Sequence, residues 1–340
     1  MKQTYKIILL FVLVLMLFSC RPQDDLRIMT VNGSIFPPDM GTTLIHEHVM
    51  VDWVGADSTG YHRWDRPEVV NRVMPFILEA RQKGVQTFID YTPAYLGRDP
   101  YILSELSQRT GVQIITNTGY YGAVDNTFIP AHAYEESASD IAAIWIDEFV
   151  NGIDGSELRP GFIKISVASQ EPLSELHQKI VDAAAITHLE TGMTIASHSI
   201  GDVPAMEQVE RLSNSGVSPE AWIWTHAQSG TEEANIEVAS KGAWISLDNV
   251  DAEAENIEWY ADRIERLKNE GFLDQILISH DAGWYDVGEP NGGDFRGYTD
   301  IFDDLLPVLT DRGFIEEEIE QLLILNPQQA FSLRTRRLDQ

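Results

Sequence analysis

The chain reads as an α/β protein, a (β/α)8 TIM barrel with an extra C-terminal helix. Three observations point there. Eight short apolar runs, rich in β-branched and aromatic residues, recur along the 340 residues. Helix-length amphipathic patterns separate them. Glycine recurs where a helical pattern gives way to the next run, the expected helix stop. An open doubly wound sheet is the structural alternative. Such a sheet usually carries a glycine-rich phosphate loop after its first strand, and 42–51 has none.

The elements follow in order. The first strand is expected at 42–49. A helix at 67–83 ends at Lys83-Gly84 before the second strand, 85–92. A helix at 99–109 ends at Thr110-Gly111 before the third, 112–120. The helix 139–151 precedes the fourth strand, 161–168, and the helix 174–190 ends at Thr191-Gly192 before the fifth, 193–199. Helices at 203–213, 231–240 and 256–269 precede strands at 221–227, 243–249 and 275–282. The segment 281–299, rich in Gly and aromatics, reads as a loop over the C-terminal face of the barrel, where barrel active sites lie. The tail continues as helix at 301–312 and 316–325.

The beginning reads differently. Lys2 and Lys6 precede an unbroken apolar run, 7–18, then Ser19-Cys20 and a polar segment. This is a signal-peptide pattern, and the run is short for a membrane span. Leu17-Phe18-Ser19-Cys20 resembles a bacterial lipobox, which implies an acylated Cys20 and an exported, membrane-anchored protein at the periplasm or cell surface. The alternative is an ordinary secretory peptide with Cys20 incidental. The expected division is a leader at 1–19, a tether at 20–32 and the barrel at 33–340. Cys20 is the one cysteine, so the mature chain has no internal disulfide and no cysteine-rich zinc site. The formal charge is -29, and removal of Lys2 and Lys6 makes the mature part more acidic still. Such a field disfavours nucleic acid and polyanionic substrates.

Six residues carry chemistry. His46 and His48, two apart in one strand, face the same side. Lys164 interrupts the apolar run Phe162-Ile163-Lys164-Ile165; alternation turns Ile163 and Ile165 to the helix layer and Lys164 to the barrel interior. A bare buried ammonium is costly, so this lysine must pair, lose its proton or be modified. A neutral amine reacts with CO₂ to give a carbamate, an anionic two-oxygen bridge for metals. A buried lysine–carboxylate pair is the alternative. His198 and His226 end two successive strands, and Asp281 ends the eighth. Taken singly, each histidine fits a hydrogen-bonded core residue and Asp281 fits a cap. Together they put ligands for divalent metal at the ends of five strands. His280 faces away by alternation. His62, His132, His177 and His188 read as surface or packing residues. Tyr120, Tyr121, Trp284 and Tyr285 are expected to wall the substrate pocket, with plain loop packing as the alternative.

The order of those ligands, with TLIHEH, TPAYLGRD, NTGYY, GFIKIS, SHDAGW and LLILNPQQAF, resembles the phosphotriesterase family of the amidohydrolase superfamily from about residue 33 to residue 333. The resemblance implies two divalent metals, usually zinc. His46, His48 and Asp281 would hold the more buried one and His198 and His226 the other, with carbamylated Lys164 and a hydroxide bridging them. Asp281 would also move the proton. Tyr121 matches a tyrosine that lactonase members carry after strand three, whereas Asn249 stands where those members often have arginine. The expected substrate is a small uncharged carboxyl ester or lactone. Phosphotriester hydrolysis at the same site is the second enzymatic reading, and a metal-holding binding lipoprotein the non-enzymatic one. A homodimer is the assembly to test.

Overall fold

A computed structural model describes residues 26–338. The leader and Cys20 lie outside the described residues. Among those residues no helix is long and apolar enough to cross a membrane.

A short antiparallel hairpin opens the fold, β1 (Ile28–Thr30) against β2 (Gly33–Ile35). The barrel wall follows as β3 (Thr43–Val51), β4 (Thr87–Asp90), β5 (Gln113–Ile115), β6 (Asn117–Thr118), β7 (Phe162–Ser166), β8 (Thr194–His198), β9 (Trp222–Thr225), β10 (Trp244–Leu247) and β11 (Ile276–Ile278). Neighbours pair in parallel, with the third expected strand divided between β5 and β6. Asp281 N–H donates to His46 O and His48 N–H to Ala282 O, which closes the wall between its first and last strands. The result is a (β/α)8 barrel.

Side-chain alternation sorts the core into two layers. Ile163, Ile165, Ile195, Trp222, Trp224 and Ile245 pack outward against the helices. Ile45, Ile89, Ile115, Phe162, Ala196, Ile223 and Leu277 fill the interior. Outside, helices begin at side-chain caps. Asp65 accepts from Glu68 N–H ahead of the helix Arg66–Gln82, and Ser174 accepts from His177 N–H ahead of Glu175–Thr191. Gly192 ends the latter in the left-handed conformation, φ 74°.

One irregularity matters for function. Leu44 pairs with Phe88 and Glu47 with Asp90, so Ile45 and His46 together oppose the single residue Ile89. This bulge lets Ile45 and His46 both turn inward and re-phases the strand so that His48 follows.

Two expectations change. The body starts earlier than residue 33. Ile28 is fully buried and belongs to the interior cluster with Met40 and Phe331, and Val31 N–H donates to Ile114 O. The loop 281–299 also contains a strand, β12 (Gly283–Asp286), parallel to β3. Only glycine fits its first position, because a Cβ on Gly283 would stand 1.8 Å from His48 O and φ is 102°. The tail is helical as expected, with π-helical turns at Ile301–Leu305 and Gln321–Leu325.

Candidate metal centre

His46, His48, Lys164, His198, His226 and Asp281 all line one cavity of about 70 Å³ at the C-terminal end of the strands. Trp53, Tyr91, Pro93, Leu96, Tyr121 and Trp284 complete its wall. Backbone strain accompanies two of the six, since His226 (φ 65°) and Asp281 (φ 51°) adopt left-handed conformations that side chains other than glycine disfavour.

The proton positions around His46 and His48 follow from their partners. His46 Nδ1 is 2.9 Å from Asp248 Oδ2, a carboxylate that can only accept, so the proton sits on Nδ1. His48 Nδ1 is 2.8 Å from Thr92 Oγ1, whose own hydrogen is donated to Met50 O, so this ring too carries its proton on Nδ1. Both Nε2 atoms are therefore lone pairs, yet they face each other at 3.2 Å. Asp281 Oδ1 lies 3.3 Å from the first and 3.0 Å from the second and accepts no hydrogen bond. Three lone-pair donors converging in this way could hold a cation, and these three atoms lie within 4.8 Å of one another.

His226 Nδ1 is 2.8 Å from Asp248 Oδ1, which turns its Nε2 toward Asp281 Oδ2 at 3.8 Å. The His198 ring stands 4.5 Å from that of His226, and its Nδ1 is 3.4 Å from the Tyr121 hydroxyl. Asp248 also falls within ligand distance of His46 and His226. Its oxygens accept from the Nδ1 groups of those rings, which places it to orient them.

Charge states suit this chemistry. Burial lowers the pKa of His46 against the pull of Asp281 and Asp248, and burial, with His226 and Lys164, holds His198 well below its usual value. Both rings are then neutral, the form that binds metal. Burial opposes a charged His226, but Asp248 and Asp281 outweigh it and raise that pKa. Burial pulls Lys164 down to about 7, despite Asp248 and Asp281. Its Nζ has one distant partner, Ile165 O at 3.5 Å. A buried, poorly partnered amine of this kind is one that could lose its proton.

The four aromatics expected to wall the pocket divide between the cavity and the surrounding packing. Tyr121 and Trp284 are in the cavity wall, and Trp284 stacks on His48 at 3.7 Å. Tyr120 and Tyr285 are not. Tyr120 is buried against Trp145 and Tyr95, and the Tyr285 hydroxyl donates to Glu68 on the helix Arg66–Gln82. Adjacent residues point to opposite sides, so of Tyr120-Tyr121 and of Trp284-Tyr285 one member alone reaches the cavity. Trp53, stacked with Trp284 at 5.7 Å, was not anticipated. Nor was Asp248, although a signal for it existed: by alternation Ser246 and Asp248 share the interior face at a strand end. His280 faces away as expected, its Nδ1 held by Glu47 Oε1.

Comparison with known proteins agrees with this geometry. An aryldialkylphosphatase of Saccharolobus solfataricus is 30% identical over 310 residues, covering 88% of this chain and 97% of that protein. A phosphotriesterase homology protein of Escherichia coli K12 is 28% identical, covering 86% and 98%. The solved structure of an organophosphorus hydrolase from Deinococcus radiodurans superposes with a TM-score of 0.80 at 28% identity, covering 90% of this chain and 96% of that one. The profile of the phosphotriesterase family matches residues 26–331, and with barrel, ligand order and relatives in agreement the chain belongs to that family of hydrolases.

Proposed function

We propose that this protein hydrolyses a small neutral carboxyl ester or lactone with two divalent cations, zinc by family habit, held by His46, His48, Asp281, His198, His226 and a carbamate on Lys164. The observation that carries the reading is the convergence of His46 Nε2, His48 Nε2 and Asp281 Oδ1 within 3.0–3.3 Å of one another. Bound cations would bring the pKa of a shared water toward neutrality and polarise the substrate oxygen.

The chain's own groups supply the rest. Lys164, as the neutral amine, adds to CO₂ through its nitrogen and gives up a proton, leaving an N-carboxylate. Asp281 keeps Oδ2 away from the crowded His46–His48 side, and its side chain is 19% exposed, so it can take a proton and hand it to solvent. Burial raises the Tyr121 pKa, so its hydroxyl stays protonated and acts as a donor to a substrate oxygen. A cavity of about 70 Å³ takes the reacting group but not a whole drug-sized ligand. The apolar remainder would lie against Trp53, Trp284 and Leu96. The acidic chain favours an uncharged substrate over an anion.

Phosphotriester hydrolysis at the same site is the second reading. It is favoured by the relatives named as an aryldialkylphosphatase and an organophosphorus hydrolase. The deciding experiment compares kcat/KM for a lactone, an aryl ester and an aryl phosphotriester on one preparation. A preference for the triester of tenfold or more, about 1.4 kcal/mol of transition-state binding, would reject the ester reading. Export as a lipoprotein is part of the proposal, resting on Lys2, Lys6, the run 7–18 and Cys20. Mass spectrometry should find Cys20 acylated after processing in a bacterial host, and an unmodified Cys20 would reject the anchor.

A further inference from the structure

We propose that Asp248 couples the two halves of the metal centre by proton placement, locking His46 and His226 together as Nδ1–H tautomers. Asparagine, which matches it in shape, would then disable one half and spare the other. The metal-count part of this inference rests on the two-cation reading above; the tautomer part does not.

Asp248 is fully buried, with an exposure of 0%. Its Oδ2 accepts from His46 Nδ1 at 2.9 Å and from the Ser246 hydroxyl at 2.7 Å. Its Oδ1 accepts from His226 Nδ1 at 2.8 Å, from Gln228 Nε2 at 3.1 Å and from the His226 backbone N–H at 3.1 Å. The Gln228 amide cannot turn over freely, because its Oε1 accepts from Asp248 N–H at 3.2 Å. Every neighbour of this carboxylate is therefore a donor. One acid thus orients a proposed ligand of each cation, and each Nε2 is left as a lone pair only because each Nδ1 gives its proton to the same group.

Asp248→Asn replaces one acceptor with a donor, and the surroundings decide which. On the Oδ1 side the Gln228 N–H is fixed, whereas the His226 backbone N–H is shared, 3.1 Å from Oδ1 and 3.2 Å from Oδ2, and does not choose between them. On the Oδ2 side the Ser246 hydroxyl can rotate to accept. The amide oxygen must then face His226 and the amide nitrogen must face His46. His226 keeps its tautomer. His46 has to present an Nδ1 lone pair, and its proton moves to Nε2. That proton points at His48 Nε2 and Asp281 Oδ1, the space a cation would fill. The variant should lose the cation held by His46, His48 and Asp281 and retain the one held by His198 and His226.

The test uses metal-stripped protein with ¹⁵N-labelled histidine, held mildly alkaline so that the rings are neutral. Long-range ¹H–¹⁵N correlation reports which ring nitrogen carries the proton. Wild type should show Nδ1–H at His46 and His226. Asp248→Asn should show Nε2–H at His46 with His226 unchanged, and zinc after reconstitution should fall from about two to about one per chain. An unchanged His46 in the folded variant, or an Nε2–H at either ring in wild type, overturns the proposal. Equal loss of both zinc ions with both tautomers intact also overturns it, because that is a general structural defect. Should the variant fail to fold, the wild-type spectrum alone decides. Wild type holding about one zinc would reject the two-cation reading and leave the tautomer result to decide this one.

Discussion

Glu47 and His280 meet at 2.6 Å in the seam between the first and last strands of the barrel, both side chains fully buried. Glu47 sits between His46 and His48 and points the opposite way. Its Oε1 also accepts from the Ser279 hydroxyl and the His280 N–H, and its Oε2 from the Ala282 N–H. His280 Nε2 in turn accepts from Ile301 N–H, at the start of the C-terminal helical tail. The residue between two proposed ligands on one strand thus holds both neighbours of a third, Asp281. Glu47→Gln replaces one acceptor with a donor in a place where every partner donates. Denaturant unfolding should show a loss of roughly 1–3 kcal/mol, the scale of a buried group left unpaired. A change below a few tenths would mean the seam tolerates the defect.

Asp281 is proposed as both ligand and proton carrier. Asp281→Asn still offers an oxygen to a cation but takes no proton. With metal content held equal, kcat should fall by roughly 10²-fold or more. Near-normal turnover would assign the proton transfer elsewhere.

Lys164 supplies a pH test. Its pKa is drawn down to about 7 by burial, so the neutral amine needed for carbamate formation predominates above that pH and is scarce below it. Reconstitution of metal-stripped protein in bicarbonate should therefore accelerate as pH rises through about 7, read as the rate of recovered activity. Lys164→Ala should lose the bridge, and added short carboxylates should restore part of the activity. Reconstitution independent of both bicarbonate and pH would rule out the carbamate.

His188 links the fold to pH. Its Nδ1–H donates to Met193 O at 2.7 Å, and its Nε2 accepts from Arg336 N–H at 2.9 Å. Burial lowers its pKa to about 4. Below 6.5 the unfolded chain gains a proton that the folded one refuses, so stability falls as pH drops from 6.5 toward 4. The contribution is on the order of 3 kcal/mol at most. His188→Gln should flatten that part of the stability profile, measured by urea unfolding at several pH values.

The barrel was legible in the sequence because its strands are buried on both faces and its helices end on glycine. Each of the eight runs falls on a strand or pair of strands. What escaped lay outside that pattern. The hairpin at 28–35 has three-residue strands, too short for any period to show, and Gly283–Asp286 is a strand begun by a glycine inside a loop. All six expected ligands line one cavity, since alternation aims Lys164 inward and strand ends bring the others. Alternation succeeded for His46 and His48 as a pair but gave no warning of the bulge that sets their phase against Ile45. Alternation could have turned Asp248 inward, but its partner His226 lies 22 positions away and Glu47's partner His280 233 positions away, pairings that the local sequence does not reveal.

Six residues are proposed to hold two cations that hydrolysis requires. Elemental analysis of one purified preparation, taken with its esterase or lactonase rate before chelation, after chelation and after zinc is returned, tests this most directly. The account predicts about two divalent metals per chain, loss of the rate with their removal and recovery as the second returns. A full rate with less than one metal per chain, or a metal-supplemented preparation that binds one metal or none, would contradict it.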